Sequence, residues 1–128
     1  MGVWDVGPFG SDNACDFVAR LERSRSTLDA VAKKAISGCN PSRCSGHQEL
    51  VALGEIAARV NGRAKYPCDG CPMPERWMLA QKPLSVPLRK AMREKLQACA
   101  HSPACLYGWS KPDAKRWQSV VHSIATRI

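Results

Sequence analysis

Apolar residues recur along this chain at the three- and four-residue intervals of helices that bury one side. Ala14, Phe17, Val18 and Leu21 make the first such stripe. Asn13 is its expected cap, accepting a first-turn N–H, with Asp12 and Asp16 at the positive end of the helix dipole. The pattern restarts at Ser26, whose pairing with Asp29 reads as a capping-box variant ahead of Leu28, Val31, Ala32 and Ala35, with Gly38 as a left-handed stop. Two helices, or one bent at Ser24 to Ser26, fit this stretch equally.

A third helix is predicted from about His47 to Asn61, with Leu50, Leu53, Ile56, Ala57 and Val60 inward and Gly62 ending it. Pro67, Pro72, Pro74 and Pro83 make 62–84 an irregular connection with room for a short helix through Trp77. Ser85 then reads as a cap and Pro87 as first-turn proline before Leu88, Met92, Leu96 and Cys99. A last amphipathic segment carries Asp113 in its first turn and Trp117, Val120, Val121, Ile124 and Ile128 inward. No stretch alternates apolar and polar with period two. The prediction is all-α: one domain over 1–128, a bundle of about five helices, with a Gly/aromatic hook over 1–13 packed on it.

At 128 residues the chain is long enough to bury most of its unfolded surface in a single core. No apolar run approaches the roughly 18 residues of a membrane span, and the acidic, Gly-rich opening lacks the basic and apolar regions of an export signal. A cytoplasmic protein with no membrane role is expected. Charge is divided unevenly: residues 1–19 carry three acids and no base, so 20–128 hold all 19 bases against 8 acids, a net +11. The opening is acidic and the body basic.

The opening residues Met1-Gly2-x-Trp4-x-x-Gly7-Pro8-Phe9, followed by Asp12-Asn13-Ala14 and a helix, resemble the bacterial domain-of-unknown-function family 4259. The stretch from Glu49 to Arg63 is similar to that family's Ala-rich central helix, and 102–109 with Trp117 and Arg127 to its closing segment. Asp5 stands where the family usually has Gly, and Pro103-Ala104-Cys105 replaces a pattern that usually carries an acid. The resemblance implies a fold and brings no reaction. In the hook itself, Trp4 and Phe9 read first as a lid on the bundle end, and second, with Asp5, Asp12 and Asn13, as a surface shown to a partner.

Seven cysteines are many for a cytosolic chain, and six come in local pairs: Cys39 and Cys44, Cys68 and Cys71, Cys99 and Cys105. Cys15 reads as a small buried hydrophobe. Joining the first two pairs would match a zinc spacing, but the helix between them is about 22 Å long, so they leave opposite ends. With short connections Cys39 and Cys44 share an end with Cys99 and Cys105. That is the favoured metal set, with His47 and His101 near it and Cys68 and Cys71 behind, and zinc is the metal that thiolate and imidazole suit. Free thiols are ranked first, metal second and native disulfides third.

The sequence contains no phosphate-binding glycine loop, zinc-protease or nucleophile-elbow motif, so no enzyme is predicted. The acids read as isolated or as partners of neighbouring bases, Glu94 with Lys90 among them. The bases Arg89, Lys90, Arg93, Lys95, Lys111, Lys115 and Arg116 would make one positive surface if the last two helices pack side by side. The expected function is non-enzymatic binding of an acidic protein through that face, as an inhibitor or immunity-type factor. Nucleic-acid binding by the same face, and a zinc-stabilised helical protein of unknown role, are the alternatives.

Overall fold

The computed structural model of the chain describes residues 5–67 and 73–128, and within them every regular element is a helix. In order these are α1 (Asp12–Leu21), α2 (Leu28–Gly38), α3 (His47–Val60), α4 (Glu75–Leu79), α5 (Val86–Ala100), α6 (Pro103–Leu106) and α7 (Lys111–Arg127). The all-α class stands. The count rises from about five to seven through two single-turn helices, the expected one through Trp77 and an unexpected one at Pro103. None of the described helices is long and apolar enough to cross a membrane.

Two caps sit away from their expected residues. Ser11, extended at φ −150°, caps α1 by accepting the Ala14 N–H at 3.1 Å, whereas Asn13 is already inside the helix. Thr27 likewise caps α2 through Ala30 at 3.1 Å, one residue after Ser26. In each case a hydroxyl three residues before the N–H meets it only if its own backbone is extended, and that selects Ser11 and Thr27. Asp29 closes no box on its own helix; its carboxylate accepts the Ser85 N–H at 3.0 Å and so holds the start of α5. Gly38 is the last residue of α2, not a left-handed stop, because the chain leaves that helix extended through Cys39. Gly62, with φ +77°, does end α3 as expected.

The centre of the fold is α3, against which α1, α2, α5 and α7 all pack, with α5 and α7 antiparallel neighbours. Sequence periodicity gave α3 one buried side, yet Leu50 through Ala58 are all buried because helices surround it. Where α3 meets α5 and α7 there is room only for hydrogen: a Cβ on Gly54 would lie 2.6 Å from Ile124 Cγ2 and 3.4 Å from Leu96 Cδ1. Alanine would gain about 1 kcal/mol of helix propensity there. Overpacking a fixed core costs about 1–3 kcal/mol and more at so short a contact, so Gly54→Ala is expected to destabilise. Urea unfolding followed by circular dichroism reads this as a lower midpoint with unchanged slope.

The described part of the hook closes one end of the bundle. Val6, Phe9 and Ser11 are buried, and the Asp5 N–H reaches the Gly10 carbonyl at 3.3 Å to make a tight loop. Trp4 lies outside the described residues. Phe9 has the lid position expected of it, while Asp12 and Asn13 are exposed on the first turn of α1. The connection before α5 is pinned to the start of α2, where the Trp77 indole donates to the Ser26 carbonyl at 3.0 Å and Gln81 Oε1 accepts the Leu28 N–H at 2.7 Å.

Candidate metal centre

The chain leaves α2 at Cys39 and turns through a loop closed by an antiparallel bridge between Asn40 and Ser45. The Asn40 N–H donates to the Ser45 carbonyl at 2.8 Å and the Ser45 N–H returns to Asn40 at 3.2 Å. Two consecutive conformational constraints then aim the chain into α3. Cys44 sits at φ +53°, the one described non-glycine residue in the left-handed region, and Gly46 follows at φ +75°. A Cβ on Gly46 would fall 2.6 Å from the Gly38 carbonyl oxygen, so the loop folds back onto the end of α2 only because that position is glycine. A cysteine in the left-handed region is strained by about 1 kcal/mol or more where Asn or Gly would be at ease, and residues kept at such a cost cluster at functional sites.

Cys44 Sγ lies 3.3 Å from His47 Nδ1, one turn on at the start of α3. The far end of the chain completes the cluster. After α5 the Ser102 hydroxyl donates to the Pro41 carbonyl at 2.5 Å, docking α6 against the loop. This carries Cys105 to a place where its Sγ, Cys44 Sγ and a His47 ring nitrogen all fall within 4.8 Å of one another. Cys105 also lies beside the Cys99 thiol, and Cys99 Sγ is 3.5 Å from Cys39 Sγ. Five donors from three separate segments thus form one continuous array, and these five residues are buried or half-buried.

The electrostatics fit a metal better than an activated nucleophile. Burial, with Cys105 beside it, pushes the Cys44 thiol up to about 12, so its sulfur keeps its proton at neutral pH. Burial draws His47 below its usual value, leaving a neutral imidazole, the form that binds metals. Cys99 is pushed up, chiefly by its hydrogen bond to Cys39; Cys39 is drawn down by that same bond, with the Lys95 ammonium adding to it. A Cys–His pair with protonated sulfur and neutral ring is not a thiolate–imidazolium nucleophile. A divalent cation reverses this by displacing the thiol protons. The three donor atoms of Cys44, His47 and Cys105, within 4.8 Å of one another, need only small side-chain adjustments to reach the roughly 3.8 Å between sulfurs about 2.3 Å from a tetrahedral zinc.

Of the metal candidates, Cys39, Cys44, Cys99 and Cys105 are brought together, and His47 enters ahead of Cys39. His101 does not join them: it is exposed and stacks against His122, ring centroids 5.1 Å apart. Cys68 and Cys71 lie outside the described residues.

The basic residues are scattered in role. Arg93 Nε donates to the Ala125 carbonyl at 2.9 Å and holds the end of α7, Arg89 donates to Leu84, and Arg116 pairs with Asp113 at 3.3 Å. Among the described residues Lys90, Lys95, Lys111 and Lys115 make no ion pair, and Glu94 makes none with Lys90. Because α5 and α7 run antiparallel, Lys90 stands toward one end of the pair and Lys111 and Lys115 toward the other.

A second polar centre was missed. The Glu55 carboxylate, fully buried, accepts both amino groups of Arg127 at 2.6 and 3.2 Å and the Lys65 N–H at 2.9 Å, with Arg59 Nε 3.8 Å away. It ties α3 to the end of α7 and to the loop at 63–66. Glu55 had been read as an isolated acid or a neighbour's partner. The signal that would have found it is its position as the lone charge in Leu50 through Ala58, an otherwise apolar run.

Compared with known proteins, residues 2–120 match a family model described as "Domain of unknown function (DUF4259)". No curated protein and no solved structure matches the chain.

Proposed function

The chain belongs to the DUF4259 family, whose description gives no activity, and we propose that it is a zinc-stabilised helical protein, with Cys44, His47, Cys99 and Cys105 as the ligands. The observation that carries this reading is the convergence of the Cys44, His47 and Cys105 donor atoms within 4.8 Å, from a strained loop, a helix start and a distant single-turn helix. Cys99 is taken as the fourth donor because its thiol lies beside Cys105, whereas Cys39 meets the group only through Cys99. Three thiolates and one imidazole form a closed tetrahedral set of the structural zinc type, with no position left for substrate or water. Zinc in this place fastens the loop at 39–46 to the turn between α5 and α6, and its role is to hold structure, not to catalyse.

Elemental analysis of protein purified without chelator tests the reading. About one zinc per chain is expected, with loss in Cys105→Ser and in His47→Ala and retention in Cys15→Ser, whose thiol on α1 only meets the Phe9 carbonyl. Wild-type protein that takes up no zinc under reducing conditions overturns it. Recognition of an acidic protein or of nucleic acid rests on less, since three of the seven bases invoked for it hold a carbonyl or a neighbouring carboxylate.

A further inference from the structure

The array holds five donors, and a tetrahedral zinc takes four. The fifth, Cys39, follows the last residue of α2, while Cys99 lies in the last turn of α5, 60 residues later. Their sulfurs stand 3.5 Å apart, unbonded, between helices that pack directly on one another. Closing that gap to the roughly 2.05 Å of a disulfide asks for about 1.5 Å of movement, within reach of side-chain rotation and the loop after Gly38.

We propose that Cys39 and Cys99 are an oxidative modification site, in which a hydroperoxide converts the two thiols to a disulfide and takes Cys99 away from the metal. The disulfide follows from the geometry of the pair alone; the metal release rests on the zinc reading above. Cys39 attacks first because it is the thiol of the array that zinc leaves uncoordinated. Its sulfur displaces hydroxide from the peroxide O–O bond, the thiol proton leaving with that hydroxide as water and the sulfur losing two electrons to become sulfenic acid. The Cys99 thiolate then leaves zinc and attacks the Cys39 sulfur; the S–S bond forms, the S–O bond breaks and hydroxide departs. In sum the Cys39 thiol, the Cys99 thiolate and one hydrogen peroxide give one disulfide, one water and one hydroxide.

A groove of about 390 Å³ between α1 and α2 is lined at one end by Gly38 and Gly46. These glycines flank Cys39, whose Cα would lie 3.1 Å from a Cβ on Gly46. Cys39 is itself 3% exposed and does not line the groove, but neither glycine puts a side chain between the two.

The test uses the whole zinc-loaded chain treated with excess hydrogen peroxide, with zinc followed by a chromogenic chelator and the thiols alkylated and mapped by peptide mass spectrometry. A Cys39–Cys99 disulfide is expected, appearing together with one zinc released and reversed by dithiothreitol with added zinc. Cys39→Ser is expected to hold zinc as tightly as wild type and to release it to peroxide roughly tenfold more slowly. Disulfide in protein that never held zinc would support the modification and remove the zinc reading. Zinc bound and released with Cys39 still alkylatable, or Cys39→Ser releasing it at the wild-type rate, overturns the proposal. Failure of Cys39→Ser to bind zinc also overturns it, since Cys39 would then be a ligand.

Discussion

Stripping zinc with a strong chelator is expected to lower the thermal unfolding midpoint by about 10–20 °C. A ligand present at about a thousand times its dissociation constant stabilises the folded state by about 4 kcal/mol, and a domain of this size loses roughly 4 °C per kcal/mol. The helices keep their own core, so the chain should remain folded at room temperature, unlike a zinc finger. The loosened parts are the loop at 39–46 and α6, joined otherwise by the Ser102 and Cys105 bonds to the Pro41 carbonyl. Cys44→Ser should already melt at the lower midpoint and show no response to chelator. Equal midpoints for wild type with and without chelator, under reducing conditions, would refute this.

The same centre fixes the sign of the pH dependence. Without metal the thiols of Cys44, raised to about 12, and Cys99, raised by its hydrogen bond to Cys39 and by burial, are protonated at neutral pH. His47, drawn by burial below the usual imidazole value, is not. Zinc must displace at least these two thiol protons, so affinity rises with pH, by at least about 100-fold per unit between pH 6.5 and 8. Titration calorimetry in buffers of different ionisation enthalpy reads the proton release directly. Below His47's own lowered value, protonation of the ring removes a ligand and binding falls further.

Glu55→Ala is expected to cost about 3–5 kcal/mol, because removing one member of a buried charge network leaves the others unpaired. Arg127 loses a two-pronged partner, the Lys65 N–H loses its acceptor, and Arg59 loses its nearby carboxylate. Arg127→Ala should cost a similar amount by stranding Glu55, whose side chain is fully buried. The double substitution Glu55→Leu with Arg127→Met should cost clearly less than the sum of the single losses, since it removes both charges and keeps the volume. Denaturant unfolding of wild type, Glu55→Leu, Arg127→Met and the double forms the cycle. Additive losses would mean that the two residues act independently and would refute the coupling.

How far the site was legible follows from what its residues answer to. Cys39, Cys44, Cys99 and Cys105 could be grouped in advance because helix length sets which loops share an end. His47 was in view but ranked low, since only the left-handed turns at Cys44 and Gly46 swing its ring back onto Cys44. Arg89 and Arg93 looked like free surface charges because a backbone carbonyl acceptor, in the turn before α5 for Arg89 and on α7 for Arg93, leaves no trace in the residue pattern.

The sequence by itself determined the five longer helices, several of their ends and the inward stripes of α1, α5 and α7, since these depend on neighbours within a turn or two. It determined the basic body as well. Tertiary structure decided the rest: that α3 is enclosed on every side, that Gly54 is a contact point, that Glu55 and Arg127 meet across 72 residues, and that five donors converge at one end. Those facts depend on where distant segments stop relative to one another to within about an ångström, a precision that close packing imposes and periodicity does not carry.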